Sequence, residues 1–72
     1  MTKKHFQLIA RAMRDNAPNV AWINKRQQWR YDCRSLAYMG RDVNASFNFE
    51  TFFDYCGFDP VELRDMLYSI KE

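Results

Sequence analysis

Three arginines recur at four-residue spacing in the middle of the chain: Arg26, Arg30 and Arg34, with Lys25 beside the first. On an α-helix this spacing places the three guanidinium groups on one face, over about 12 Å of the helix axis. Such a stripe can contact several phosphates, and Tyr31 lies close enough along the helix to stack on a base. The same stripe can instead stay solvated or form ion pairs within the fold, and the sequence leaves these alternatives open.

Residues typical of catalytic and metal sites are few and scattered. His5 is the single histidine, and we expect it to be solvated on the first helix. Cys33 and Cys56 form no CxxC pair, so no zinc site is predicted. Glu50 and Asp54 are spaced i and i+4, which indicates surface carboxylates rather than an acid pair. We therefore predict that the protein is not an enzyme and needs no cofactor or metal.

The spacing of apolar residues predicts four helices. The first begins after a Thr2 cap and ends near Asn16. The second begins after an Asn19 cap, runs to about Met39 and ends at Gly40.

The second helix is predicted to carry apolar residues on two faces. One face consists of Trp22, Trp29, Cys33, Leu36 and Ala37. A second strip, roughly opposite, consists of Val20, Tyr31 and Tyr38. Because so small a chain has few neighbours to cover both faces, we expect the second strip to be free for a partner.

The ends of the last two helices carry the most specific signals in the chain. Asn48 is predicted to cap the third helix, and Gly57 to end it. Asp59 precedes Pro60 at the first helical position, and Glu62 completes an Asp-x-x-Glu capping box. The fourth helix is therefore predicted to begin at Pro60.

The stretch FFDYCGFDPVELRDML has the spacing of a DNA-reading helix-turn-helix, with Gly57 at the turn. Its second helix offers Asp59, Glu62 and Asp65 against Arg64, and carboxylates close to phosphates weaken binding. We therefore interpret the stretch as a helical hairpin that is folded for packing.

Length and composition predict an all-α fold, a small single-domain bundle of four helices over residues 1–72, the last two forming the hairpin. Twelve aromatic residues can build a core, while two Gly and two Pro argue against disorder and a turn-rich β-fold. The predicted core contains Phe6, Ile9, Met13, Trp22, Trp29, Leu36, Phe49, Phe52, Phe53, Leu63, Met66, Leu67 and Ile70. No apolar run spans a membrane and no signal peptide is apparent, so we expect a cytoplasmic protein with free thiols.

The net charge of +2 hides an uneven distribution along the chain. Residues 1–41 hold nine basic and two acidic residues, a net charge of +7, whereas residues 42–72 hold two basic and seven acidic residues, a net charge of −5. Ion pairs between the two halves are therefore an alternative use of the arginine stripe. We expect most such pairs to be exposed, each contributing about 0–1 kcal/mol.

The segments MTKKHFQLIARAMRD and FNFETFFDYCG resemble a group of short uncharacterised proteins from tailed phages. Those proteins begin with Met-Thr-Lys-Lys-His-Phe-x-x-Ile-Ala and carry a later Phe-x-x-x-Cys-Gly. The matching positions are Met1 to Ala10 and Phe52 to Gly57, with Phe49 upstream. The resemblance implies a phage origin and, by association only, binding to a host or phage macromolecule.

Two functions remain as hypotheses. The first is a non-enzymatic protein-binding accessory module that docks on a host or phage protein, because Tyr and Arg are enriched at binding hot spots. The alternative is a small nucleic-acid-binding protein that uses the basic second helix. In both cases the candidate surface consists of Lys25, Arg26, Arg30, Tyr31, Arg34 and Tyr38.

Overall fold

The structure, a computed structural model that describes residues 3–70, is all-α. The described range contains four helices, as predicted: α1 (Lys3–Asp15), α2 (Ile23–Val43), α3 (Phe49–Tyr55) and α4 (Pro60–Ile70). The predicted Thr2 cap lies outside this range. The end of α1 is close to the predicted one, and its last carbonyls are bonded: the Asn16 side-chain amide donates to the Ala12 oxygen at 2.8 Å.

The shortest helix, α3, lies at the centre and packs against α1, α2 and α4. Its Phe53 is fully buried and stacks on Phe58 with ring centroids 4.9 Å apart. Phe52 meets Phe6 of α1 edge-on at 6.5 Å. Helices α3 and α4 form the predicted hairpin, and Gly57 turns the chain at φ 90°, a conformation that favours glycine.

The core contains almost all of the residues predicted for it. Its buried apolar members are Phe6, Ala10, Trp29, Cys33, Ala37, Phe52, Phe53, Cys56, Phe58, Met66 and Ile70. The other predicted members are partly buried against these, except Trp22, whose side chain is 58% exposed. The prediction that Trp22 lies in the core is wrong, because it assigns this residue to the buried face of α2, whereas Trp22 precedes that helix.

The start of α2 differs from the prediction. The Asn19 carboxamide oxygen accepts the Ala21 N–H at 2.8 Å and so closes a turn instead of capping the helix. The helix begins at Ile23, and Trp22 occupies the N-cap position without a side-chain hydrogen bond. Val20 therefore lies in the turn before α2 and does not belong to a strip with the two tyrosines.

The end of α2 also differs, because the helix passes through Gly40 and continues to Val43. Gly40 is buried under the ring of Phe47, and a Cβ atom at position 40 would lie 2.7 Å from that ring. The cap is Asn44, whose N–H donates to the Gly40 oxygen at 2.9 Å. Gly40 thus permits close packing rather than ending the helix.

The predicted caps of α3 and α4 are confirmed. The Asn48 side-chain oxygen accepts the Thr51 N–H at 3.0 Å. The Asp59 carboxylate accepts the Glu62 N–H at 2.8 Å, and the Glu62 carboxylate accepts the Asp59 N–H at 3.2 Å. This reciprocal pair is a capping box, which satisfies two of the N–H groups that a helix start leaves without partners.

We expect Asp59→Ala to lower the free energy of unfolding by about 1 kcal/mol, since it removes the cap of α4. Urea titration followed by circular dichroism measures this loss. Asp65→Ala is the matched control, because it removes an exposed carboxylate from the middle of α4 and should change stability by less than about 0.5 kcal/mol. An unchanged midpoint for Asp59→Ala would show that the cap contributes nothing.

We expect Gly40→Ala to destabilise the fold by about 1–3 kcal/mol, although alanine is the better helix former. The Phe47 ring would have to move, and it is held by Phe6 at 4.8 Å and Phe52 at 5.4 Å. In a Phe47→Leu background the same change should cost much less, which a double-mutant cycle of thermal unfolding measures. A stabilising Gly40→Ala in the wild-type background would contradict this account.

Candidate functional site

Arg26 is buried, with 7% of its surface exposed, and its guanidinium group is fully engaged inside the protein. Its Nε and Nη2 atoms donate to the two carboxylate oxygens of Glu62 at 2.9 and 2.8 Å. Nη1 donates to the Pro18 carbonyl at 2.8 Å, and Nη2 also to the Gly57 carbonyl at 3.4 Å. The group lies 4.3 Å from the centre of the Trp29 ring. The prediction that Arg26 faces a partner is therefore wrong, because the residue belongs to the interior.

Glu62 collects three donors at the start of α4. Besides Arg26, it accepts Arg30 Nη1 at 2.7 Å and the Asp59 N–H at 3.2 Å. The hydrogen bond from Arg26 is the main reason that the pKa of Glu62 falls to about 2, with Arg30 and the Asp59 N–H acting in the same direction. Burial acts in the opposite direction and is outweighed. The expectation that most of the arginine pairs are exposed is therefore wrong for the two pairs of this carboxylate.

The third arginine of the stripe also reaches α4. Arg34 Nη1 donates to the Ser69 hydroxyl oxygen at 3.1 Å, and its guanidinium lies 4.9 Å from the centre of the Tyr31 ring. The Tyr31 hydroxyl accepts the side-chain amide of Gln27 at 3.3 Å. The three arginines of the stripe therefore all make contacts within the fold, between α2 and α4.

A cleft of about 310 Å³ lies between α2 and α4, and we name it the α2–α4 cleft. It is lined by Gln27, Arg30, Tyr31, Val61, Glu62, Asp65, Met66 and Ser69. Tyr31 and Val61 are 44% and 57% exposed. Tyr68 follows Val61 by seven residues, hence on the same side of α4, and is 79% exposed. Sequence reasoning missed Val61 and Tyr68, although their seven-residue spacing is a signal in the sequence.

The remaining predicted site residues lie elsewhere. Lys25 is exposed and holds its ammonium group 4.8 Å from the centre of the Trp22 ring. Tyr38 meets Phe49 of α3 edge-on at 5.9 Å. The structure thus brings Arg30 and Tyr31 together in one cleft with Arg34 beside them, and separates Lys25 and Tyr38 from it.

Two further clefts adjoin each other on α1. The first, which we name the aromatic cleft, has a volume of about 340 Å³ and is lined by Phe6, Gln7, Asn44, Ser46, Phe47, Asn48, Thr51, Phe52 and Tyr55. The second, which we name the basic cleft, measures about 400 Å³ and is lined by Lys4, Gln7, Leu8, Arg11, Arg14 and Tyr55. The three cations of the basic cleft are not among the predicted site residues, because Lys4, Arg11 and Arg14 are spaced less regularly along the chain than the stripe on α2.

The two cysteines are free and fully buried. The pKa of Cys33 is raised, mainly by a hydrogen bond with Cys56 and also by burial, which suppresses the reactive thiolate. Among residues 3–70, no three His, Cys, Asp or Glu side chains are grouped so that they could hold a metal ion.

Comparison with known proteins adds no relative: the chain matches no protein-family model, no curated protein and no solved structure. Within the described range, none of the helices has the length and apolar character that crossing a membrane requires. Function therefore has to be inferred from the clefts and the residues that line them.

We expect stability to fall as the pH drops from about 4.5 towards 2. A carboxylate whose pKa is lower in the folded state stabilises the fold above its unfolded pKa, and this stability is lost as the pH falls through the folded value. From the pKa of about 2, the loss is about 3 kcal/mol. Urea unfolding at pH 7 and near pH 2.5 measures the difference.

The matched variants are Glu62→Gln and Glu50→Gln. Glu62→Gln leaves the Arg26 guanidinium buried without a countercharge and should cost about 3–5 kcal/mol at pH 7, enough to unfold much of so small a protein. Glu50 is exposed, so Glu50→Gln should keep the wild-type stability and its acid dependence. Wild-type stability of Glu62→Gln at pH 7 would refute the structural role of the pair.

Proposed function

We propose that this chain is a non-enzymatic protein-binding module that uses the α2–α4 cleft. The observation that supports the proposal is the exposure of Tyr31 and Val61, which line the cleft beside the Arg30–Glu62 ion pair, with the exposed Tyr68 on the same side of α4 as Val61. Exposed aromatic side chains that border a cleft are typical of binding hot spots, since they bury a large area on contact.

The cleft is suited to binding because its walls are already ordered. Tyr31 lies between Gln27, which bonds its hydroxyl, and Arg34, which lies against its ring. Arg30 and Glu62 hold α2 and α4 at a set distance through their 2.7 Å bond. A partner therefore loses little affinity to the ordering of this surface.

The chemistry of the cleft favours a protein segment over nucleic acid. Tyr31 and Val61 offer apolar surface to a side chain of the partner, while Asp65 and Ser69 offer polar contacts in the same cleft. Asp65 and Glu62 would repel phosphates, and Arg30 is already paired. These contacts argue against the alternative of a nucleic-acid site on α2.

The electrostatics of the cleft also support a binding role rather than catalysis. Glu62 stays ionised at pH 7 because two arginines bond it, and a carboxylate with a pKa of about 2 is a poor proton acceptor. The resemblance to short tailed-phage proteins supports a phage accessory factor as the wider context, with a host or phage protein in the bacterial cytoplasm as the partner.

The test is capture of proteins from a bacterial lysate by the immobilised full chain, quantified for three forms. We expect Tyr31→Ala combined with Tyr68→Ala to lower capture of a wild-type partner by at least about tenfold, as hot-spot changes do. Met39→Ala combined with Val43→Ala is the matched control, since both residues are exposed on α2 and neither lines the cleft. Circular dichroism should show the same helix content in all three.

Two results would contradict the proposal. One is a partner whose capture is unchanged by Tyr31→Ala combined with Tyr68→Ala but is lost with Met39→Ala combined with Val43→Ala. The other is a loss of about 2 kcal/mol or more in unfolding free energy for Tyr31→Ala, as buried large-to-small changes produce, which would make the ring part of the core.

A further inference from the structure

We propose that the aromatic cleft and the basic cleft together form a binding site for single-stranded nucleic acid, with bases in the first and phosphates in the second. This site is separate from the α2–α4 cleft, with which it shares no lining residue.

The basic cleft carries positive charge that the fold does not neutralise. Lys4, Arg11 and Arg14 lie along one side of α1 over about 15 Å. The ion pairs found among the described residues involve Arg26, Arg30 and Glu62, and none involves these three cations. Phosphates can therefore approach them without displacing an existing carboxylate, unlike at the α2 stripe.

The position of Arg14 is set by packing. The carbon stem of Arg14 lies close to Gly57, since a Cβ atom added to Gly57 would be 3.0 Å from Cγ of Arg14. The turn between α3 and α4 thus supports the stem, while the charged end remains with the residues that line the basic cleft. The carbon stem of one of the three cations is therefore packed against the fold, although the residue itself is exposed.

The aromatic cleft offers ring faces and hydrogen-bond donors together. Phe47 is half-buried and the Tyr55 side chain is 44% exposed, so both can contact a base. The side-chain oxygens of Asn44 and Asn48 accept backbone N–H groups, from Ser46 at 3.0 Å and from Thr51 at 3.0 Å. These bonds orient the two carboxamides and leave their nitrogens as donors for the carbonyl and ring-nitrogen acceptors of bases.

The two clefts adjoin each other, because Gln7 and Tyr55 line both. A single strand presents unstacked bases next to phosphates, which matches this arrangement, whereas a duplex keeps its bases stacked. An acidic protein would satisfy the cations but leave the rings and carboxamides of the aromatic cleft unused. Single-stranded nucleic acid is therefore the ligand class that can bind in both the aromatic cleft and the basic cleft.

The test is fluorescence anisotropy of a labelled single-stranded DNA of about 12 nucleotides, titrated with the full chain at about 50 and 200 mM salt. We expect binding that weakens with salt. Lys4→Gln combined with Arg11→Gln should weaken it by roughly tenfold and lower the salt slope by about 1–2. Tyr55→Ala should weaken it by roughly tenfold through lost stacking, while Tyr55→Phe should bind as the wild type does.

The matched control is Lys25→Gln combined with Arg64→Gln, which removes the same charge from exposed positions outside both clefts. This control should change the affinity for single-stranded DNA by less than about twofold. Tyr31→Ala combined with Tyr68→Ala should also change it by less than about twofold. The nucleic-acid proposal can therefore be refuted without refuting the protein-binding proposal, and the reverse. Circular dichroism checks that each variant is folded.

Several outcomes would overturn the proposal. Absence of binding at low salt removes it, and an equal loss in the charge-matched control reduces it to general electrostatic attraction. Duplex DNA that binds as tightly as the single strand contradicts the role of the aromatic cleft. Displacement by polyglutamate at equal concentration points to an acidic protein instead, and displacement by a mononucleotide at equal concentration points to a nucleotide pocket.

Discussion

The rest of the fold depends on the buried ion pair between Arg26 and Glu62. Removing two charges from water costs several kcal/mol per ion, so such a pair persists only where hydrogen bonds satisfy both groups. Here the carboxylate is bonded at both oxygens, and Arg26 also bonds the carbonyls of Pro18 and Gly57. The pair adds little net stability compared with an apolar contact, but removing one partner is costly. We infer that the pair fixes the position of the start of α4 relative to α2.

The same carboxylate couples the folding of α4 to the shape of the α2–α4 cleft. Glu62 caps the helix through the Asp59 N–H, pairs with two arginines and forms part of the cleft floor. A substitution at Glu62 therefore changes stability and surface together and cannot separate them. Tyr31 and Tyr68 are different, because their side chains are exposed and we expect their truncation to leave the core unchanged.

Sequence reasoning succeeded where a structural feature depends on residues close along the chain. The caps at Asn48 and Asp59 bond N–H groups three residues away, so the pattern alone predicts them. It failed where the cause is distant. The sequence pattern predicts a helix end at Gly40 because it does not reveal that Phe47 packs against this residue. It predicts an exposed Arg26 because the partner of that residue, Glu62, lies 36 residues away in the chain. The charge division predicted attraction between the halves but not which side chains would be buried.

Formal charge does not distinguish the cations of α1 from those of α2, since each helix carries a spaced series of them. The difference lies in their neighbours. Arg26 and Arg30 face the start of α4, where the capping box already requires a carboxylate, whereas the residues that line the cleft of Arg11 include Leu8 and Tyr55 and no Asp or Glu. The requirement for a cap on α4 therefore determines which cations are neutralised. Lys4, Arg11 and Arg14 take part in none of the ion pairs found among the described residues, and for this reason we propose that the anionic ligand binds there rather than on the denser stripe.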